Sequence, residues 1–476
     1  MKPVVAASDR RRPRVRRALI IAVIALLPFA LHAVWDQAEA SQLARTVRDL
    51  DRRGEPINLK TLRAPLPTAE ERRAARLYAA AADLALAVAR DNPEARLTSA
   101  SSVLESSLAL PDLISRLDGL ERRYQDGNAA LELLDRATPL HFGGFGDHEP
   151  ELLTNGSPLV ELNALDAVRA DIASARQRPD AAASAIATSV RLQRTIPILF
   201  YREVAASRTF EALRLLFVTN VVPASALNSL RQAYQDTPDE DGAADDLRIN
   251  RARLVGDFWP YAPDLTPWAL RMKPPIRSGV METLRFVALR PFITHQFRSM
   301  LQPLDEAIAV AKLPWPEKLD AADALARKYS VDPARQTLPK SSFVSQLGMF
   351  PRFLGPANLQ WNLPRAGHIL ASRRVAIVVL AVEQYRRDHG EALPANLQAL
   401  VPDYLRAIPT DPFSGNPIRF VRQPESYMVY SVDSDRKDDG GAFYGAYTGR
   451  RSNVFDRGPR DLGIRIPITP TVRSGG

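Results

Sequence analysis

The residues best suited to chemistry in this chain are carboxylates on one short loop. The stretch Ser431-Val432-Asp433-Ser434-Asp435-Arg436-Lys437-Asp438-Asp439-Gly440-Gly441 gathers Asp433, Asp435, Asp438 and Asp439 among turn-forming neighbours. Hard oxygen donors on a flexible loop suit Ca2+, which binds carboxylates without demanding strict geometry. The spacing is not that of an EF-hand: counted from Asp433, Lys437 stands fifth and Asp438 sixth, where the sharp turn requires Gly. The plain alternative is a solvated acidic turn.

A second group is His141 and His148 with Asp147 and Glu149, in the Gly-rich run HFGGFGDHEPE. It could form a His/carboxylate metal site, but the spacing matches no zinc signature and His148-Glu149 lacks the second His of HExxH. An exposed loop is expected. His295 and His368 stand alone in mainly apolar settings and read as core or surface residues. No GxSxG, Walker A or dinucleotide fingerprint is present, and Gly143-Gly144-Phe145-Gly146 is too short to cradle phosphate. The absence of Cys removes disulfides, thiolate metal sites and cysteine nucleophiles. Catalysis would have to come from groups scattered along the chain.

The elements that must position the acidic loop lie in residues 373–476. Val375, Val378, Val379, Val382 and Tyr385 fall on one helical face, and Gly390 supplies a C-cap. A short helix at 396–400 follows, then the turn Pro409-Thr410-Asp411-Pro412 and the loop Phe413-Ser414-Gly415-Asn416-Pro417. The alternating runs 418–421 and 427–432 predict an antiparallel hairpin that delivers the loop.

This order of features resembles the C-terminal domain of type II secretion major pseudopilins. The resemblance rests on Glu383, Tyr385, Asp388, Gly390 and Pro394 at the helix exit, and on Leu397 to Tyr404 in the short helix. Leu405, Ile408-Pro409, Asp411-Pro412 and Gly415-Asn416-Pro417 carry it through the turn, and Ser431, Asp435 and Gly440-Gly441 through the acidic loop. It covers about 100 of the 476 residues. It implies a small α+β module with a structural calcium held by the loop and by a later Asp before a final strand. Asp435 and Asp461 match those two positions, with Asp433 and Asp438 as further ligands, although residues 442–460 separate the pair. In pseudopilins one long helix runs from the membrane into this domain. Here the apolar N-terminal segment lies some 340 residues upstream. That implies a module appended to another domain, and not a fibre subunit.

At the N-terminus, residues 18–35 (ALIIAVIALLPFALHAVW) carry no charge and just reach the length of a membrane span. The cations Lys2, Arg10, Arg11, Arg12, Arg14, Arg16 and Arg17 precede it against one acid, Asp9, which sets residues 1–17 on the cytoplasmic side. Retained, the segment is a single-pass anchor of the inner membrane; cleaved after Ala38-Glu39-Ala40, it is a signal peptide. Retention is favoured by its length. Either way the bulk of the chain is periplasmic or otherwise extracytoplasmic. Those first residues also account for six of the net +9 charges, so the remainder is nearly balanced and nucleic-acid binding is not expected.

Residues 36–236 read as a helical array of antiparallel pairs, with helices at 68–90, 100–108, 110–124, 128–136, 160–178, 181–194, 204–219 and 224–235. Residues 237–246 form an acidic linker. Residues 237–372 alternate helices (281–289, 303–312 and 319–329) with Pro- and Trp-rich loops, including 335–364. The expected fold is therefore mainly α: a membrane helix, a helical array and a small C-terminal α+β module. The expected function is a membrane-anchored, exported scaffold or interaction protein of the bacterial envelope, linked to a secretion or pilus-like assembly. An exported metal-dependent hydrolase is the alternative.

Overall fold

The computed structural model describes residues 12–58, 68–91, 125–142, 157–237, 242–258, 280–329, 356–442 and 461–468. Of the side chains at 12–23, 257–258, 280–289, 293, 296 and 356–358 nothing is described. Within these bounds the protein is mostly helical, with eleven α-helices and one three-stranded antiparallel sheet. The helices expected at 100–108 and 110–124 lie outside the described residues. So do His148 and its acidic neighbours.

The described chain divides into two compact units. One holds α1 (Arg12–Arg52), residues 248–258 of α8 (Ala243–Phe258) and residues 280–306 of α9 (Val280–Ala311). Helix α1 changes character along its length. Leu43, Val47 and Leu50, at i, i+4 and i+7, are buried. Ile24, Leu26, Leu27, Phe29, Leu31, Val34 and Trp35 are all exposed, Phe29 by 74%. Among the described residues no helix is long and apolar enough to cross a membrane. Charged clamps brace this unit. Arg251, 2% exposed, pairs with Glu55 and with Asp305, and Glu39 receives Arg298 at 3.1 Å and His295 at 3.0 Å.

Helix α9 departs from the expected pair of separate helices. It runs unbroken through Pro291 and Pro303. Buried Phe297, Leu301 and Leu304 keep helical phase at i, i+4 and i+7. Burying such side chains yields roughly 1.5–3 kcal/mol each, enough to offset about 3 kcal/mol for an interior proline.

The second unit begins with α2 (Ala69–Asp91), whose start is the anticipated capping box: Glu71 N–H donates to Thr68 Oγ1 at 3.0 Å and Thr68 N–H to Glu71 Oε2 at 3.0 Å. Helices α3 (Asn128–Ala137), α4 (Ser157–Ala175), α5 (Pro179–Gln193), α6 (Leu199–Thr219) and α7 (Ala224–Gln235) follow. Three residues join α4 to α5, and Gln177 takes φ of 55° there so that the chain turns back and the two helices pack together. Helix α10 (Glu317–Lys328) and the long α11 (Pro356–Asp388) complete the set.

Helix α11 begins well before residue 373, inside the stretch expected to be loop. Pro356 sits in its first turn, where no N–H is needed. Leu359, Leu363, Ala366 and Leu370 then bury one face across the interior Pro364. The helix leads to a 3-10 turn at Leu397–Leu400, capped by Asn396, and to strands β1 (Arg419–Arg422), β2 (Ser426–Ser431) and β3 (Leu462–Pro467). The sheet order is β1-β2-β3, with Phe420 opposite Val429 and Val429 opposite Ile464. One hydrophobic core joins the later helices to the sheet: Ile186, Leu213, Leu216 and Leu230 of the array pack in the same cluster as Val375, Val379, Val382, Tyr427, Val429 and Ile464.

Candidate functional site

The end of β2 is organised by Asp411, which is fully buried. Its Oδ1 accepts the Ser431 hydroxyl at 2.8 Å and the Phe413 N–H at 2.9 Å, and its Oδ2 accepts the Val432 N–H at 2.9 Å. The turn block around Asp411 and the Ser431 loop, apparently separate motifs in sequence, are thus one hydrogen-bonded structure. Asp433 follows in the left-handed region, at φ 59°, which Asp tolerates better than most residues.

That turn aims Asp433 away from its neighbouring acids and at α11. Asp433 Oδ1 lies 2.5 Å from His368 Nε2, and His368 Nδ1 lies 3.2 Å from Glu203 Oε1 of α6. Arg365, one helical turn before His368, pairs with the other Glu203 oxygen at 3.0 Å. The Phe413 ring stands edge-on to the imidazole at 5.7 Å and to Trp315 at 6.0 Å. Gly367 makes room for it, since a Cβ there would meet the Phe413 ring. Burial works against a charged imidazole, but the Asp433 and Glu203 carboxylates outweigh it and push His368 up to about 10. In turn His368, against the cost of burial, holds Asp433 below the usual carboxylate range. The result is an imidazolium clamped between two carboxylates. His368, read from sequence as a solitary residue, is the centre of this site, and Glu203 was not singled out at all.

The four acids expected as calcium ligands are distributed differently. Asp433 is engaged by His368. Asp435 is exposed and caps its own turn, accepting the Lys437 N–H at 3.0 Å. Asp438 accepts Arg419 at 2.7 Å, the Tyr430 hydroxyl at 3.0 Å and the Gly440 N–H at 3.0 Å, which lower it despite desolvation. Asp461, just before β3, is 3% exposed. Its Oδ2 accepts the Gly441 N–H at 2.6 Å, and its Oδ1 has no partner among the described residues. Burial raises Asp461, and the Asp438 and Asp439 charges add to that effect.

The Asp461 carboxylate is buried near the charges of Asp438 and Asp439, but Asp438 is already held by Arg419 and the Tyr430 hydroxyl. Asp433 and Asp435 are turned to other tasks, and no group of three or more metal-binding side chains is already assembled among the described residues. His141 pairs with Glu71 at 3.7 Å.

No protein-family model matches the chain, and no curated protein or solved structure does.

Proposed function

We infer that this protein is a membrane-anchored scaffold of the bacterial envelope, which carries its helical array and pseudopilin-like C-terminal module outside the cytoplasm. No described helix is by itself long and apolar enough to cross a membrane, and what supports the reading is the uncharged run 18–35 together with the exposed apolar surface of α1. Its exposed apolar residues between Ile24 and Trp35 cover the helix surface except for a sector of about 120° around His32, at 100° per residue. Such a surface is stable in lipid and costly in water. The seven cations before it, against one acid, give the orientation.

The second unit supplies the reason to call it a scaffold. It is a continuous helical surface with a small sheet built into its core, and its best-defined polar site, Glu203–His368–Asp433, is an ion clamp and not a nucleophile with a base. The module's likeness to pseudopilins makes a secretion or pilus-like assembly the place to look for partners, and a structural Ca2+ at Asp461 belongs to the same reading. The test is fractionation with carbonate extraction. The chain is expected in the membrane pellet, and replacement of Leu26, Leu27, Phe29 and Leu31 by Ser is expected to release it. Extraction of the native chain by carbonate would overturn the anchor. Envelope cross-linking that captures no partner would overturn the scaffold.

A further inference from the structure

The α4–α5 hairpin borders a groove of about 850 Å3, continuous through Thr138, Arg191 and Arg194 with a second hollow of about 360 Å3. Cations outnumber carboxylates along it. The lining carries Arg169, Arg178, Arg191 and Arg194 against Asp135 and Asp236. Asp135 is already consumed, its two oxygens bound by Arg169 at 2.7 and 2.9 Å. Arg169 is itself fixed from beneath by buried Asp166 at 2.6 Å. Arg178 and Arg191 have no carboxylate partner among the described residues, and Arg194 reaches only the Asp236 carbonyl, at 3.5 Å.

The floor is equally specific. Along α5 the groove presents Ala181, Ser184, Ala185 and Thr188, at i, i+3, i+4 and i+7, so one helical face is small enough for another backbone to approach. From Arg178 to Arg191 is thirteen residues of helix, about 20 Å at 1.5 Å per residue. An extended peptide of about six residues spans that length at ~3.3 Å each. The hollow at the Arg191 end adds the edge-to-face rings of Tyr78 and Phe142, which stand 5.2 Å apart, with His141 at its rim.

We propose that this groove is a docking site for an extended, acidic peptide segment of a partner protein, anchored at Arg191 and Arg194 and reaching along α5 to Arg178. The site rests on the scaffold reading above and gives its partner a chemistry. A flexible acidic strand matches the spread cations and the narrow floor. A duplex does not fit a floor one helical face wide.

The test is fluorescence anisotropy at low ionic strength, with the full chain in detergent micelles and a labelled peptide of about six residues that alternates Glu with Ala. A Lys/Ala peptide and a single-stranded oligothymidylate are the comparisons. Saturable binding of the acidic peptide is expected, weakened about tenfold or more in R191E/R194E and less in R178E, and unchanged in R327E on α10. The arginines of the double variant are half-buried or exposed, so its thermal melt should match the native one; if it does not, R178E alone decides. Equal binding of the Lys peptide, an equal loss in R327E, tighter binding of the oligonucleotide, or no binding overturns the proposal. Peptide binding and carbonate extraction are separate readouts, so the groove and the anchor can fail independently.

Discussion

The Ser431 hydroxyl donates to Asp411 at 2.8 Å, across twenty residues of sequence, with both side chains fully buried. This bond joins the turn after the 3-10 helix to the last residue of β2. Because Asp411 also receives the Phe413 and Val432 amides, Asp411→Ala would strand two buried N–H groups and a hydroxyl. A loss of about 3 kcal/mol is expected by chemical denaturation. Ser431→Ala removes one bond and should cost about 1 kcal/mol.

The His368 clamp predicts a pH dependence with a definite sign. His368 is raised from its unfolded value of about 6.5 to about 10. The folded state therefore binds the extra proton, and the stabilisation is complete below about pH 6.5 and lost as pH rises through about 10. Asp433 is lowered, so its contribution is present above its unfolded value near 3.9 and lost as pH falls through its folded one. Melting temperatures of H368Q and the native chain should converge toward pH 10. Parallel curves from neutral to alkaline pH would show that the clamp does not govern stability.

Asp166 predicts the opposite behaviour from a carboxylate. Burial raises it to about 6, although Arg169 and the Ser189 hydroxyl pull the other way. Its folded state holds a proton that the unfolded chain has released. The contribution is present below about pH 4 and is lost as pH rises through about 6. In D166N that acid-side gain in melting temperature should vanish, and equilibrium unfolding at several pH values between these limits reads it directly.

Calcium is testable at Asp461. Ca2+ is expected to raise the melting temperature of the full chain, and D461N to abolish the response while melting higher than the native chain in chelator, because it relieves a buried carboxylate beside like charges. D433N should keep the calcium response and lose stability by about 2 kcal/mol, through the orphaned imidazolium. A calcium response lost in D433N and kept in D461N would place the ion at the other end of the loop.

Much of the helical framework was legible in the chain. Helix α7 was read at its observed limits, and α2, α5 and α10 came within two residues of theirs, because apolar spacing and turn residues agree there. Helix α9 is read as two pieces around Pro291 and α11 only from residue 373, after a Pro-rich stretch, since local propensity argues for a break and only tertiary burial of Phe297, Leu301, Leu359 and Leu363 argues against it. The site was less legible still. Asp433 was visible, but its partner His368 lies 65 residues before it, and Glu203, which holds the other side of the imidazole, lies 165 residues before His368. Asp411 gave a local signal, an Asp two residues before an amide it could cap, and was read as a turn and no more.

Helix α11 has a consequence for inheritance. Its first half lines the array, and its second half carries the sheet within the same core as α5, α6 and α7. A cut at residue 373 would pass through the middle of a rod and expose Val375, Val379 and Leu213 on its two sides. The C-terminal sheet is therefore not a cassette that recombination could swap between chains. Any grafted version must bring α6, α7 and all of α11 with it, and substitutions on the sheet's inner face must be matched by substitutions in the helices.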